Sequence, residues 1–183
     1  PVKKSYPSVY VARMLAYGWQ EPCNLTLSGT LRTKERIAKV ISAQMMVDSL
    51  TVATALNDKL FLAEYGFTPE NVFARIMADT DQKDWNTSIG QIFDRFKSEY
   101  DRFWTDERGK KAQAQGLTKM EASVMASIVA GETLQADEFP LIAGVYLNRL
   151  HRGIKLQADP TICFCYDYQL NRVLKKHLQV DSP

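Results

Sequence analysis

VMASIVAGET, residues 124–133, ends an apolar run on a carboxylate. Val124, Met125, Ile128 and Val129 recur at helical spacing, and the same step of three or four residues lands on Glu132. An ionised carboxylate is costly to bury alone, so such a group is either paired or has its pKa pushed toward neutrality. In the first reading Arg149 or Lys155 neutralises Glu132, or the glutamate caps a neighbouring helix. In the second it is a general acid, with an apolar helix wall on one side and an open cleft on the other. Its position on the helix does not choose between them.

Other polar groups gather downstream. Gln157, Asp159 and Thr161 form a polar cluster in LQADPTICFCY, a stretch expected to be extended, and are candidates for holding a polar substrate. The local alternative for Asp159 is a turn, because Asp-Pro-Thr commonly makes one. Asn148 and Arg149 can orient Glu132 or simply close their own helix. His151 and His177 are isolated, so no metal is implied, and no glycine loop suggests a phosphate cradle. Cys23, Cys163 and Cys165 lack metal-ligand spacing, and the ICFCY pair is expected to behave as small buried hydrophobes.

The elements that must position these groups are mostly helical. Thr118-Lys119-Met120-Glu121 matches a capping box and starts the helix that carries Glu132. Asp137 as cap and Pro140 in the first turn signal a second helix, with Leu141, Ile142, Val145, Tyr146 and Leu150 inside and a close near Gly153. A tight connection between the two would hold Glu132 at their junction, facing the core. Upstream, Ser8–Gly18 reads as a helix and CNLTLSG as a short strand. Further helices are expected from Arg32, over Leu50–Leu56 and from Thr68-Pro69-Glu70. MADTDQKDWN, residues 77–86, reads as a loop. The spacing of Ile89, Ile92, Phe93, Phe96, Tyr100 and Phe103 predicts one long helix ending by Gly116, and LNRVLKKHL a short one. The expected fold class is α+β, mainly helical.

Composition narrows the function classes. With 183 residues and 45% hydrophobic content the chain can bury a real core. A net charge of +2, from 23 basic and 21 acidic residues, gives no mandate for nucleic acid. The apolar stretches are too short to span a bilayer, and the N-terminus shows no signal-peptide core.

Residues 126–161, ASIVAGETLQADEFPLIAGVYLNRLHRGIKLQADPT, resemble the catalytic core of the bacterial endolytic murein transglycosylases. The family pattern is met in order and spacing by Ser127-Ile128-Val129, Glu132-Thr133, Asp137-Glu138, Asn148-Arg149-Leu150, Gly153, Leu156-Gln157 and Asp159-Pro160-Thr161. RTKERIA, DWNTS, SEYDRFW and HLQVDSP are similar to members from the Bacteroides group. Three departures stand out. Ala130 replaces the first glutamate of the family's E-x-E-T, with Gly131 beside it; only Asp79 and Thr80 match within 78–84; and the chain stops at Val180-Asp181-Ser182-Pro183, where the family continues.

The resemblance implies lysozyme-like, lytic-transglycosylase-type catalytic helices. It implies a partial lysin-motif-like wall-binding element at 1–30, a helical domain at 31–116 and a catalytic core at 117–183 that lacks the family domain's C-terminal part. It implies cleavage of MurNAc–GlcNAc bonds within glycan strands to 1,6-anhydro ends, with Glu132 as the single acid and then base. Gln157, Asp159, Thr161, Asn148 and Thr133 would bind substrate, without cofactor or metal. The implied partners are peptidoglycan strands and a peptidoglycan synthase. The implied location is the extracytoplasmic (periplasmic) face of the cell inner membrane, through an N-terminal anchor outside these residues. Two alternatives stay open: a wall-glycan-binding protein without turnover, and an aminodeoxychorismate lyase using pyridoxal phosphate. No lysine here sits in the apolar, phosphate-binding context that the lyase chemistry needs.

Overall fold

The computed structural model describes residues 3–18, 22–28 and 31–180. Parts of the expected 1–30 element, and the last residues of HLQVDSP, lie outside them. In chain order the elements are α1 (Ser8–Ala16), β1 (Cys23–Leu27), α2 (Lys34–Gln44), α3 (Ser49–Ala55), α4 (Lys59–Glu64), α5 (Val72–Arg75), β2 (Asp79–Lys83), α6 (Ile89–Phe103), α7 (Asp106–Ala114), α8 (Lys119–Glu132), α9 (Phe139–His151) and α10 (Asp159–Cys165). A 3-10 helix follows at Lys175–Gln179. The fold is mainly helical. It divides into two compact units, Pro1–Pro69 with Met77–Arg95, and Glu70–Ile76 with Phe96–Pro183.

The first unit is organised around an antiparallel pair in which Leu25 faces Asp81 and Thr26 faces Thr80. The stretch 77–86, expected to be a loop, contains β2. Its sequence DTDQK has no apolar alternation, so the strand owes its place to its partner rather than to its own pattern. Asp81 accepts an ion pair from Arg95 at 2.8 Å, and the Thr80 hydroxyl donates to that of Thr26 at 3.1 Å. Along the other edge of β1, the Gln44 amide accepts from Thr26 N at 2.8 Å and donates to Thr26 O at 3.0 Å. That side chain pairs backbone groups an edge strand would leave open.

Above the pair, α2 is capped by Thr33, whose hydroxyl accepts from Arg36 N, and buries Ile37, Ala38 and Ile41. Asp48 and Asp58 cap α3 and α4 in the same way. The second of these caps starts a helix the periodicity of the sequence does not announce. Phe61, Tyr65, Phe67 and Phe93 pack ring on ring, with centroids 5.0–6.3 Å apart.

In the second unit α8 packs against α5, α7, α9 and α10. The long helix expected to end by Gly116 is α6, which closes at Phe103; the chain breaks at Trp104, and Thr105 starts a further helix, α7, by accepting from Arg108 N. The Arg108 guanidinium locks this corner, donating to Phe103 O at 2.8 Å and lying over the Phe103 ring. Residues 159–165, expected to be extended, form α10, with Pro160 in its first turn. The helix expected from Leu170 is instead irregular up to the 3-10 turn at 175. Cys163 and Cys165 are half-buried free thiols rather than fully buried ones.

Candidate active site at the end of α8

The capping box at Thr118 forms as its sequence requires. Glu121 N donates to the Thr118 hydroxyl, and Thr118 N donates to the Glu121 carboxylate at 2.8 Å. The Thr118 backbone N–H first, and then its hydroxyl, favour the ionised acid and hold Glu121 below the usual carboxylate range. From this start, α8 buries Met125 and Val129 one turn apart. With Tyr146 of α9 and Ala158 before α10 they make a small core, flanked by Ile128, Phe139, Ile142, Ala143 and Leu156. Val124, counted on the apolar face from the sequence, is 45% exposed.

Glu132 is the last residue of α8 and is exposed, not turned into the core. The apolar face stops at Val129, and the helix ends before another turn can carry the carboxylate under α9. Its anchor is instead a phenol. The Tyr146 hydroxyl, on a side chain that is 7% exposed, donates to Glu132 Oε1 at 2.5 Å. Burial chiefly, then the Glu132 contact, pushes the Tyr146 pKa up to about 12, so the phenol keeps its proton throughout the physiological range. Arg149 opposes that rise and Asp159 adds to it, so both also bear on this phenol.

Arg149, one of the cations that could have neutralised Glu132, spends its guanidinium on the segment leading into α10. Its Nη1 donates to Lys155 O at 2.8 Å, Leu156 O at 3.1 Å and Gln157 Oε1 at 3.0 Å. Gln157, exposed at a backbone φ of 54°, is held in this way. Asp159 opens α10 and is exposed. Thr161 is half-buried and turns inward on its own helix, donating to Ala158 O at 2.7 Å. Thr133 follows Glu132 in extended backbone and donates to Glu138 at 2.6 Å, fixing the α8–α9 connection. Asn148 is exposed on α9. The expected cap at Asp137 is displaced: Glu138 stands at the helix start and makes no side-chain cap bond.

Two features escape a reading of the sequence. Gly131 lies where Pro160 closes on α8, and a Cβ there would meet the proline Cβ and Cγ at 2.9 Å. A glycine before the glutamate therefore lets the two helices approach, where helix propensity alone counts it a defect. Tyr146 reads as one more apolar position of α9. The available signal was its hydroxyl, since a buried tyrosine usually needs a hydrogen-bond partner. A polar cavity of about 860 Å³ in the first unit, lined in part by Gln82, Asp84, Asn86 and Arg95, includes none of the candidate residues.

Over 59 residues the chain is 39% identical to the endolytic murein transglycosylase of Bacillus subtilis (strain 168), a match covering 32% of this chain and 16% of that protein. The crystal structure of a YceG-like protein from Listeria monocytogenes superposes with a TM-score of 0.74 at 22% identity, over 98% of this chain and 64% of the other. The chain thus spans less than two thirds of these relatives, and the second likeness speaks to fold alone. The YceG-like family model matches residues 2–183, nearly the whole length, and the chain belongs to that family.

Proposed function

We propose that the chain is the catalytic part of an endolytic peptidoglycan lytic transglycosylase, cleaving MurNAc–GlcNAc bonds within glycan strands to leave 1,6-anhydro-MurNAc ends. The observation that carries this reading is the exposed Glu132 carboxyl, tied through one oxygen to a buried phenol beside the first turn of α10. Support also comes from the transglycosylase name of the Bacillus subtilis relative. In this reading Glu132 gives its proton to the glycosidic oxygen, and the bond from MurNAc C1 to that oxygen breaks with its electron pair going to the oxygen. An oxocarbenium-like centre is left at C1. The carboxylate then takes the proton of the sugar's own C6 hydroxyl, whose oxygen closes on C1. No water enters the products, and a tethered nucleophile needs no second carboxylate to position one.

The Glu132 carboxyl is exposed, with Oε1 held by Tyr146. A glycan laid across Glu132 would exclude water from the reacting bond. Gln157, Asp159 and Asn148, all exposed, and Thr133 and Thr161, half-buried, are the proposed contacts to sugar hydroxyls and acetamides. Attachment to the inner membrane by an N-terminal anchor, extracytoplasmic placement and work beside a peptidoglycan synthase belong to the same proposal.

Uncrosslinked glycan strands treated with the protein should acquire anhydro ends, and Glu132→Gln should lower their rate of formation by at least about a hundredfold, the order expected for loss of a general acid. Equal product from both proteins removes the assignment. A second reading, glycan binding without turnover, draws on Ala130, which stands where the family has the first glutamate of its motif. Retention of strands without new ends would select it.

A further inference from the structure

We propose that Tyr146 is a positioning residue of this site: its buried hydroxyl holds Oε1 of Glu132 and thereby presents Oε2 to the glycosidic oxygen. The inference rests on the lytic transglycosylase reading and extends it to a residue outside the proposed acid and sugar contacts.

A glutamate at the end of a helix, exposed to solvent, has three freely turning side-chain bonds and no reason to favour one direction. Here one oxygen is fixed. Tyr146 sits in the middle of α9, its ring packed with Met125, Val129 and Ala158, and its hydroxyl reaches Oε1. Among the described residues Oε2 takes no hydrogen bond, so the two oxygens are chemically distinct before any substrate arrives. A phenol that stays protonated can only donate to a carboxylate, and it does so in both halves of the reaction. While Glu132 is neutral, Oε1 is the carbonyl oxygen that accepts from Tyr146 and the proton sits on Oε2. Once that proton has gone to the leaving oxygen, the same phenol supports the carboxylate while Oε2 waits for the C6 hydroxyl. The charged groups bearing on the phenol are Glu132 itself, Arg149 of α9 and Asp159 of α10. Arg149 is in turn bound to the segment that carries Gln157, a proposed sugar contact.

The test uses the full chain on uncrosslinked glycan, with Tyr146→Phe, which keeps the ring and removes the donor. The expected result is a fall in kcat of about tenfold, equivalent to about 1.4 kcal/mol of barrier, with KM unchanged within about twofold. A carbon-13 label at tyrosine Cζ supplies a readout without turnover. The Tyr146 resonance should titrate near 12 in the parent protein, and lower in Glu132→Gln, where the neighbouring charge is gone. A wild-type kcat in Tyr146→Phe, a change confined to KM, or a Tyr146 titration that ignores Glu132→Gln each overturns the proposal. These outcomes leave the transglycosylase reading standing as long as Glu132→Gln is inactive. An active Glu132→Gln removes that reading, and the positioning role with it.

Discussion

At the scale of single residues, the site depends on what stands next to the acid as much as on the acid. Gly131 is the clearest case, because two effects of opposite sign meet there. Replacing a helical glycine by alanine gains about 1 kcal/mol of helix stability. At this position the new methyl would lie 2.9 Å from two ring carbons of Pro160, and a proline ring cannot swing aside as a lysine tail would. Forcing an extra carbon into a filled contact costs about 1–3 kcal/mol. The clash outweighs the propensity gain. Gly131→Ala should therefore lower the melting temperature and push the start of α10 away from α8. Strand cleavage should weaken through KM, since Asp159 and Thr161 move while Glu132 keeps its phenol. A variant that melts higher than the parent, with unaltered kinetics, would show that α10 yields without cost.

At the scale of elements, α8 is legible from its first residue, and the same cap carries a pH signature. The folded pKa of Glu121 is lowered by Thr118, first through the backbone N–H and then through the hydroxyl. A depressed carboxylate adds stability above its unfolded value and loses it as pH falls through the folded one. The gap in melting temperature between the parent and Glu121→Ala should be full at neutral pH and shrink as the pH falls through the lowered pKa of Glu121. A gap that persists unchanged into acid would place the effect in packing rather than in the cap. Thr118 and Glu121 are three residues apart and act locally, which is why the sequence shows them. By contrast β2 is invisible in DTDQK, because its pairing with β1 is made across more than fifty intervening residues and its ion pair comes from α6. The direction of Glu132 escapes the sequence for a related reason. Periodicity carries the apolar stripe onward to Glu132, yet the helix stops there, so the carboxylate that spacing assigns to the core stands in solvent. The short helix α10 hides in LQADPTICFCY because its proline and threonine suit a turn equally well, and the closing of Pro160 onto Gly131 appears only once both helices are placed.

At the scale of the whole molecule, burial is unevenly shared. In the first unit Ile41, Val52, Leu56, Leu62 and Phe93 are wholly enclosed, each at 0% exposure. The core beneath Glu132 is thinner: Met125, Val129 and Tyr146 retain 5–8% exposure, while Leu134, Leu141 and Phe164 around them stand at 96, 73 and 57%. Local opening free energies follow the number of apolar contacts an element must break, so the two units should not open alike. Amide exchange followed by mass spectrometry should find α2 and α3 protected longest, with α9 and α10 exchanging well before them. Within the second unit α8 should outlast α10, because α8 packs against four helices. A glycan strand that contacts Gln157 and Asp159 should then slow exchange at α10 and the end of α8 and leave α2 and α3 unchanged. Protection gained only in the first unit would move the binding surface away from Glu132, to the polar cavity that Asn86 and Arg95 help to line.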